Sequence, residues 1–164
     1  SAYKALSVAP GLKRRFLAEK WDSVPSSFWK DARNDAISLV RHDTAFKAIG
    51  YDIDENAVTL TNENAAKASI AKRVSATKAD IKNYKNQKNT ITICNPPYGE
   101  RMLDIKEAEK LYQVMGQVFE GNKDSPCYII SPHEDFEKFF GRKANKRRKL
   151  YNGMLKCQLF MYYK

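Results

Sequence analysis

Cysteine is scarce. Cys94, Cys127 and Cys157 lie far apart in 164 residues, form no CxxC pair and are odd in number. That argues against a disulfide framework and against a thiolate zinc site, and for reduced thiols in a cytoplasm. Histidine is scarcer: His42 and His133 stand alone, without metal-ligand spacing, and read as surface or capping groups. The seven glycines, at 11, 50, 99, 116, 121, 141 and 153, include no G-x-G pair. No apolar run is long enough to span a membrane. The N-terminal SAYKALSVAPGLKRRF lacks the apolar stretch and small-residue cleavage site of a signal peptide. Repeats and low-complexity segments are missing too.

What the chain has in excess is positive charge. Lys and Arg number 29 against 19 Asp and Glu, a net charge of +10. A balance of that size favours a polyanionic partner, with nucleic acid the usual one; a merely soluble basic surface is the bland alternative. Hydrophobic residues make up 43%, enough for one globular domain of this length. The densest basic run is Lys138, Arg142, Lys143, Lys146, Arg147, Arg148 and Lys149. Arg142, Lys143, Lys146, Arg147 and Arg148 are therefore candidates for RNA phosphate contacts, against the reading of a solvated loop.

Periodicity predicts the order of elements. Residues 1–25 read as the tail of a helix followed by an irregular basic segment, broken at Pro10-Gly11. From Ser26, apolar positions near 3.6 spacing predict a helix capped by Ser26 or Ser27. FKAIGYD, 46–52, reads as a strand, and Asp54 caps a helix over about 55–69. RVSATKAD, 73–80, and NTITIC, 89–94, read as further strands. Asp104 and Glu107 resemble a capping box that opens a helix closed by Gly121. CYIIS, 127–131, is a buried type of strand, and HEDFEKFFG a short helix. Asn152-Gly153 then signals a closing hairpin. Strands alternating with helices predict an α/β fold: a parallel sheet with helices on both faces and an antiparallel strand near one edge. In such sheets ligands sit at the carboxyl ends of strands, where Asp52, Asp80 and Asn95 fall.

The sharpest local feature is TITICNPPYGERM, 90–102. Pro96 and Pro97 cannot donate to a sheet ladder, and each pushes its predecessor out of the helical region. The strand must end in a stiff elbow. Asn-Pro-Pro-Tyr can simply end a strand, but here it also offers the parts of a base-holding site. The Asn95 side-chain carbonyl and the Pro96 carbonyl are acceptors for an exocyclic amine, and Tyr98 is a stacking face worth about 1–3 kcal/mol per base. Such a base must be single-stranded or flipped out of its duplex. Asp52 suits the two hydroxyls of a ribose, leaving the helix cap to Asp54. Asp80 suits an adenine amino group, or is an exposed turn acid.

NPPYGERM, with its trailing Glu100-Arg101, resembles the catalytic loop of the THUMP-containing RNA methylases, the group that includes the 23S ribosomal RNA guanine-N2 methyltransferases. APGLKRRFLAEKWD, IGYDIDENAVTLTNENAAKA and RRKLYNGMLKCQLFMYY are similar to other segments of that family's catalytic domain, so the resemblance covers nearly the whole chain. It implies a Rossmann-like class I methyltransferase fold over 1–164 as a single domain. It implies S-adenosylmethionine as cofactor and methyl transfer to the guanine 2-amino group of RNA, ribosomal RNA foremost, with no metal. Asn95, Pro96, Pro97 and Tyr98 would hold the guanine. Asp52 would hold the cofactor ribose, and Asp80 with Ile81 its adenine, with Asn95 also lining the cofactor pocket. The family's glycine-rich loop and first strand have no counterpart here. The family's first strand is central, between the strands ending at Asp52 and Asn95. Its absence predicts that another segment fills the gap, that the neighbours close up, or that another chain donates a strand; the chain alone would then be weakly active or inactive. Two other readings stay open: an adenine-N6 methyltransferase, since NPPY also occurs there, and a non-catalytic RNA-binding module.

Overall fold

The structure is a computed structural model that describes residues 2–85, 87–98, 105–120 and 125–163. The chain divides into two compact units, Ser1–Lys78 and Ala79–Lys164.

The first unit opens with helix α1 (Ala2–Leu6), a 3₁₀ turn (Leu17–Lys20) and helix α2 (Ser26–Ser38). No side chain caps α2; its first turn follows Pro25, whose fixed φ of −53° sets the entry, so neither Ser26 nor Ser27 serves as the predicted cap. Glu19 instead ties this region together, accepting from the Phe16 amide and pairing with Arg33, while Phe16 stacks on Trp29 at 6.0 Å. Strand β1 (Ala48–Asp52) runs parallel to β2 (Val74–Lys78), with helix α3 (Glu55–Lys67) as the crossover. Asp54 caps α3 as expected, accepting from the Asn56 amide at 2.9 Å. From α3, Asn62 reaches Ala76, receiving its N–H at 2.8 Å and donating to its carbonyl at 3.0 Å. One amide side chain thus satisfies a strand edge as a neighbouring strand would.

The second unit holds a 3₁₀ turn (Ile81–Asn83), β3 (Thr92–Cys94), α4 (Ile105–Val118), β4 (Cys127–Ser131), α5 (Phe136–Phe140), β5 (Lys146–Asn152) and β6 (Leu155–Tyr162). Its sheet has the order β3-β4-β6-β5, parallel between β3 and β4 and antiparallel thereafter. On one face lies a core of Tyr112, Met115, Phe119, Ile129, Phe136 and Phe160 with their neighbours. Gly116 lets α4 and α5 meet: a Cβ there would lie 2.0 Å from the Phe140 carbonyl oxygen.

The expected parallel pattern is therefore present in two sheets, of two and four strands. Among the described residues β1 pairs only with β2, and β3 only with β4. Three boundaries move. Pairing in β3 begins only at Thr92, because Asn89 turns the chain at φ 57°. β2 stops at Lys78, so Asp80 lies beyond the strand rather than on it. The hairpin loop is Gly153-Met154, with Asn152 paired to Leu155; Gly153 at φ 60° takes the first central position, where glycine suits a two-residue turn. The predicted caps Asp104 and Gly121 lie outside the described residues.

Candidate active site

The elbow follows β3 as the two prolines require. Asn95 is exposed, Pro96 is buried, and Pro97 and Tyr98 are half-buried. The Tyr98 hydroxyl donates to Asn95 Oδ1, so the two side chains brace each other. A carbonyl oxygen has two acceptor positions, which leaves one on Asn95 for an incoming N–H. Burial pushes the Tyr98 phenol up, reinforced by Cys157 and opposed by a hydrogen bond with Asn152. It is thus a neutral donor at physiological pH.

Behind the elbow stands a support that the sequence did not announce. Tyr112 on α4 is fully buried, and its hydroxyl donates to the Pro97 carbonyl at 3.2 Å. Ser131, at the end of β4, donates to the Tyr112 hydroxyl at 3.4 Å and receives the His133 amide at 3.1 Å. Burial raises the Tyr112 phenol, opposed by the Ser131 hydrogen bond, which keeps its proton in place as a donor. A tyrosine inside the apolar stripe of α4 reads from sequence as one more core residue; that its hydroxyl meets the Pro97 carbonyl is a tertiary fact. His133 braces the loop before α5, whose N-cap is Asp135, instead of capping the helix: its Nδ1 accepts from the Asp135 amide at 3.2 Å, and its ring packs edge-on against Tyr112.

The acids proposed for the cofactor are both exposed or half-exposed and each folds its own loop. Asp52, in the first unit, ends β1 and accepts from the Asp54 amide at 2.9 Å. Asp80, in the second, caps the 3₁₀ turn by accepting from the Lys82 amide at 2.9 Å. Ile81 is half-buried against the core of the second unit. Each carboxylate so held presents acceptor oxygens in a fixed direction, which suits ribose hydroxyls or an amine. Among the described residues no group of His, Cys, Asp and Glu could hold a metal ion.

The basic run divides. Arg142 is drawn inward: it donates to the Phe119 carbonyl at 3.1 Å and lies over the Tyr162 ring at 4.8 Å. Arg147 is clamped to Glu137, with Nε donating at 2.9 Å. Lys143, Lys146 and Arg148 are exposed.

Residues 1–160 match the RMKL-like methyltransferase domain. The chain belongs to that family. It is similar to the ribosomal RNA large subunit methyltransferase K/L of Legionella pneumophila (strain Philadelphia 1), at 32% identity over 98% of this chain and 23% of that protein. YpsC of Bacillus subtilis, provisionally named an RNA methyltransferase, is 33% identical over 96% of this chain and 41% of its own length. Among solved structures, SMU.472, provisionally described as a methyltransferase and complexed with SAH, superposes with a TM-score of 0.92. It shares 37% identity, over 99% of this chain and 43% of that one. A Listeria monocytogenes protein described as a predicted N6-adenine-specific DNA methylase gives 0.87 at 32% identity, over 98% of this chain and 42% of its own. The chain spans less than half the length of these relatives. The family and the fold are those of S-adenosylmethionine-dependent methyltransferases, and S-adenosylmethionine is the cofactor they imply. Taken singly, Asp52 and Asp80 each carry a carboxylate held by its own loop, an acceptor chemistry that suits a ribose hydroxyl or an adenine amine.

Proposed function

We propose that this chain is the methyl-transferring domain, 1–164, of an RNA guanine-N2 methyltransferase. The observation that carries the reading is the elbow: an Asn carbonyl and a proline pair held rigid after a strand, with an aromatic ring beside them and a buried tyrosine bonded to the Pro97 carbonyl behind. S-adenosylmethionine would supply an activated methyl group. Asn95 Oδ1 and the Pro96 carbonyl accept the N–H bonds of an exocyclic amine and point its nitrogen lone pair outward, while Tyr98 stacks on the ring. The gain is one of position, since a nucleophile held in line with its electrophile needs no metal or covalent intermediate. Asp52 holds the ribose, and Asp80 with Ile81 the adenine. Lys143, Lys146 and Arg148 contact phosphates, with Arg142 and Arg147 shaping that surface. The names of the K/L and YpsC relatives favour RNA, ribosomal RNA first.

The test is transfer of tritiated methyl from S-adenosylmethionine to single-stranded RNA, by this chain and by one extended to the length of its relatives, followed by nucleoside analysis. N2-methylguanosine is the expected product. N6-methyladenosine would establish the adenine reading, which the name of the Listeria protein favours. Asn95→Ala should abolish turnover and leave RNA affinity nearly unchanged. Salt-sensitive RNA binding without transfer in either protein would leave only a binding module.

A further inference from the structure

The closing hairpin outruns the sheet that carries it. β6 pairs with β4 only from Gln158 to Tyr162, the last pair being Ser131 with Gln158. Leu155–Cys157 and their partners Leu150–Asn152 therefore project past the carboxyl end of β4 as a two-stranded ribbon. β3 is parallel to β4, so this is also the end at which the elbow leaves β3. The two features meet. Asn152 and Cys157 share one face of the ribbon, and both lie against the Tyr98 hydroxyl.

The opposite face has no such partner among the described residues and a distinct composition. Tyr151 pairs across the ribbon with Lys156, and Lys149 Nζ lies 5.2 Å from the centre of the Tyr151 ring. Tyr151 is 62% exposed, and Met154, at the turn, is 101% exposed. An aromatic ring between two ammonium groups, with an apolar side chain at the very tip, is a poor surface for water alone. It is what a single strand of nucleic acid requires: a stacking face beside cations for the phosphates. An apolar side chain at the end of a projecting element is also the wedge that enters an opened base step.

We propose that the β5–β6 hairpin tip binds the nucleotide next to the target base, with Tyr151 stacking on it, Met154 occupying the opened step, and Lys149 and Lys156 on the adjoining phosphates. The inference rests on the RNA methyltransferase reading above. It adds the element that would keep the strand open while the elbow holds the extruded base, since a base taken from a stack leaves neighbours that need a surface.

The test uses the whole chain and a fluorescein-labelled, mixed-sequence, single-stranded RNA of fifteen nucleotides, read by anisotropy. All four side chains are exposed, so thermal unfolding of each variant should match the parent. Tyr151→Ala is expected to weaken binding about tenfold, the size of one lost base stack, and Met154→Ala to add to it. Tyr151→Phe, which keeps the ring, should bind like the parent. Lys149→Gln with Lys156→Gln should flatten the salt dependence as well as lower affinity. Equal affinity of Tyr151→Ala and parent would overturn the proposal, as would failure of the parent chain to bind the RNA. Its fate is separable from that of the guanine reading. Binding that needs Tyr151 while adenine is the methylated base would retain the tip and discard guanine. Guanine methylation with binding indifferent to Tyr151 would do the reverse.

Discussion

The two units of this chain solve the burial problem differently. In the second, β4 alternates buried and half-buried along its length, and four aromatic rings, Tyr112, Phe119, Phe136 and Phe160, are at most 1% exposed. In the first, β1 is exposed at four of its five positions, and only Leu6, Val58 and Ala65 are buried apolar side chains. Phe28, Ile37 and Leu39 on and after α2, which sequence periodicity marks as an apolar face, stay exposed. Similar hydrophobic patterning has thus led to a close-packed core in one unit and to side-chain clips, such as Asn62 on Ala76 and Glu19 on Phe16, in the other. Stability should be concentrated accordingly.

The largest test contrasts two phenylalanines. Phe136 is fully buried among Tyr112, Phe140 and Phe160, so Phe136→Ala should cost about 3–5 kcal/mol by denaturant unfolding. Phe28→Ala, at a 63% exposed position, should stay within about 0.5 kcal/mol. Equal costs would erase the distinction between the units.

An intermediate effect comes from pH, and its sign differs between the units. Burial pushes the Cys94 thiol up to about 11 and the Cys127 thiol up to about 12, both in the second unit. Raised acids favour the neutral form in the folded state. Their contribution is complete below pH 9, the ordinary thiol value, and is lost as pH rises through 11 and 12. Glu19, in the first unit, is held low, chiefly by the Phe16 amide and then by Arg33. Its contribution is present above its ordinary value of 4.5 and lost as pH falls below that. Hydrogen exchange should therefore show the second unit opening first in alkali and the Phe16–Arg33 region first in acid. Alkaline opening that begins in the first unit would contradict this.

The smallest change in stability carries the most information about the site. Tyr112→Phe removes one hydroxyl and the hydrogen bond to Pro97, about 0.5–1.5 kcal/mol. If that bond positions the elbow, methyl transfer should fall in kcat with little change in KM for RNA. A variant as fast as the parent would make Tyr112 a core residue only.

Local chemistry alone specified a good deal. Two prolines after a β-branched run must stop a strand, so the elbow at Asn95 was readable without a fold. Asp54 as a helix cap, the parallel β1-α3-β2 crossover and the closing hairpin follow from side-chain periods and turn preferences of the same local kind. Boundaries were less legible. Asn89 and Asp80 turn the chain through local backbone and side-chain bonds that override a β-branched pattern, and the hairpin turn slips by one residue because pairing fixes its register. Other assignments only the tertiary structure could make. The Tyr112 bond to Pro97 joins residues fifteen apart in sequence and on different elements. Arg142 reads as one basic residue of a run, yet packing places it against Phe119 and Tyr162. The ribbon beyond Ser131 exists because β6 is longer than the strand it pairs with, a property of two strands together. The sequence determined which groups could act on a base. Only packing decided what holds them and what stands beside them, because those contacts are made between segments that no local rule connects.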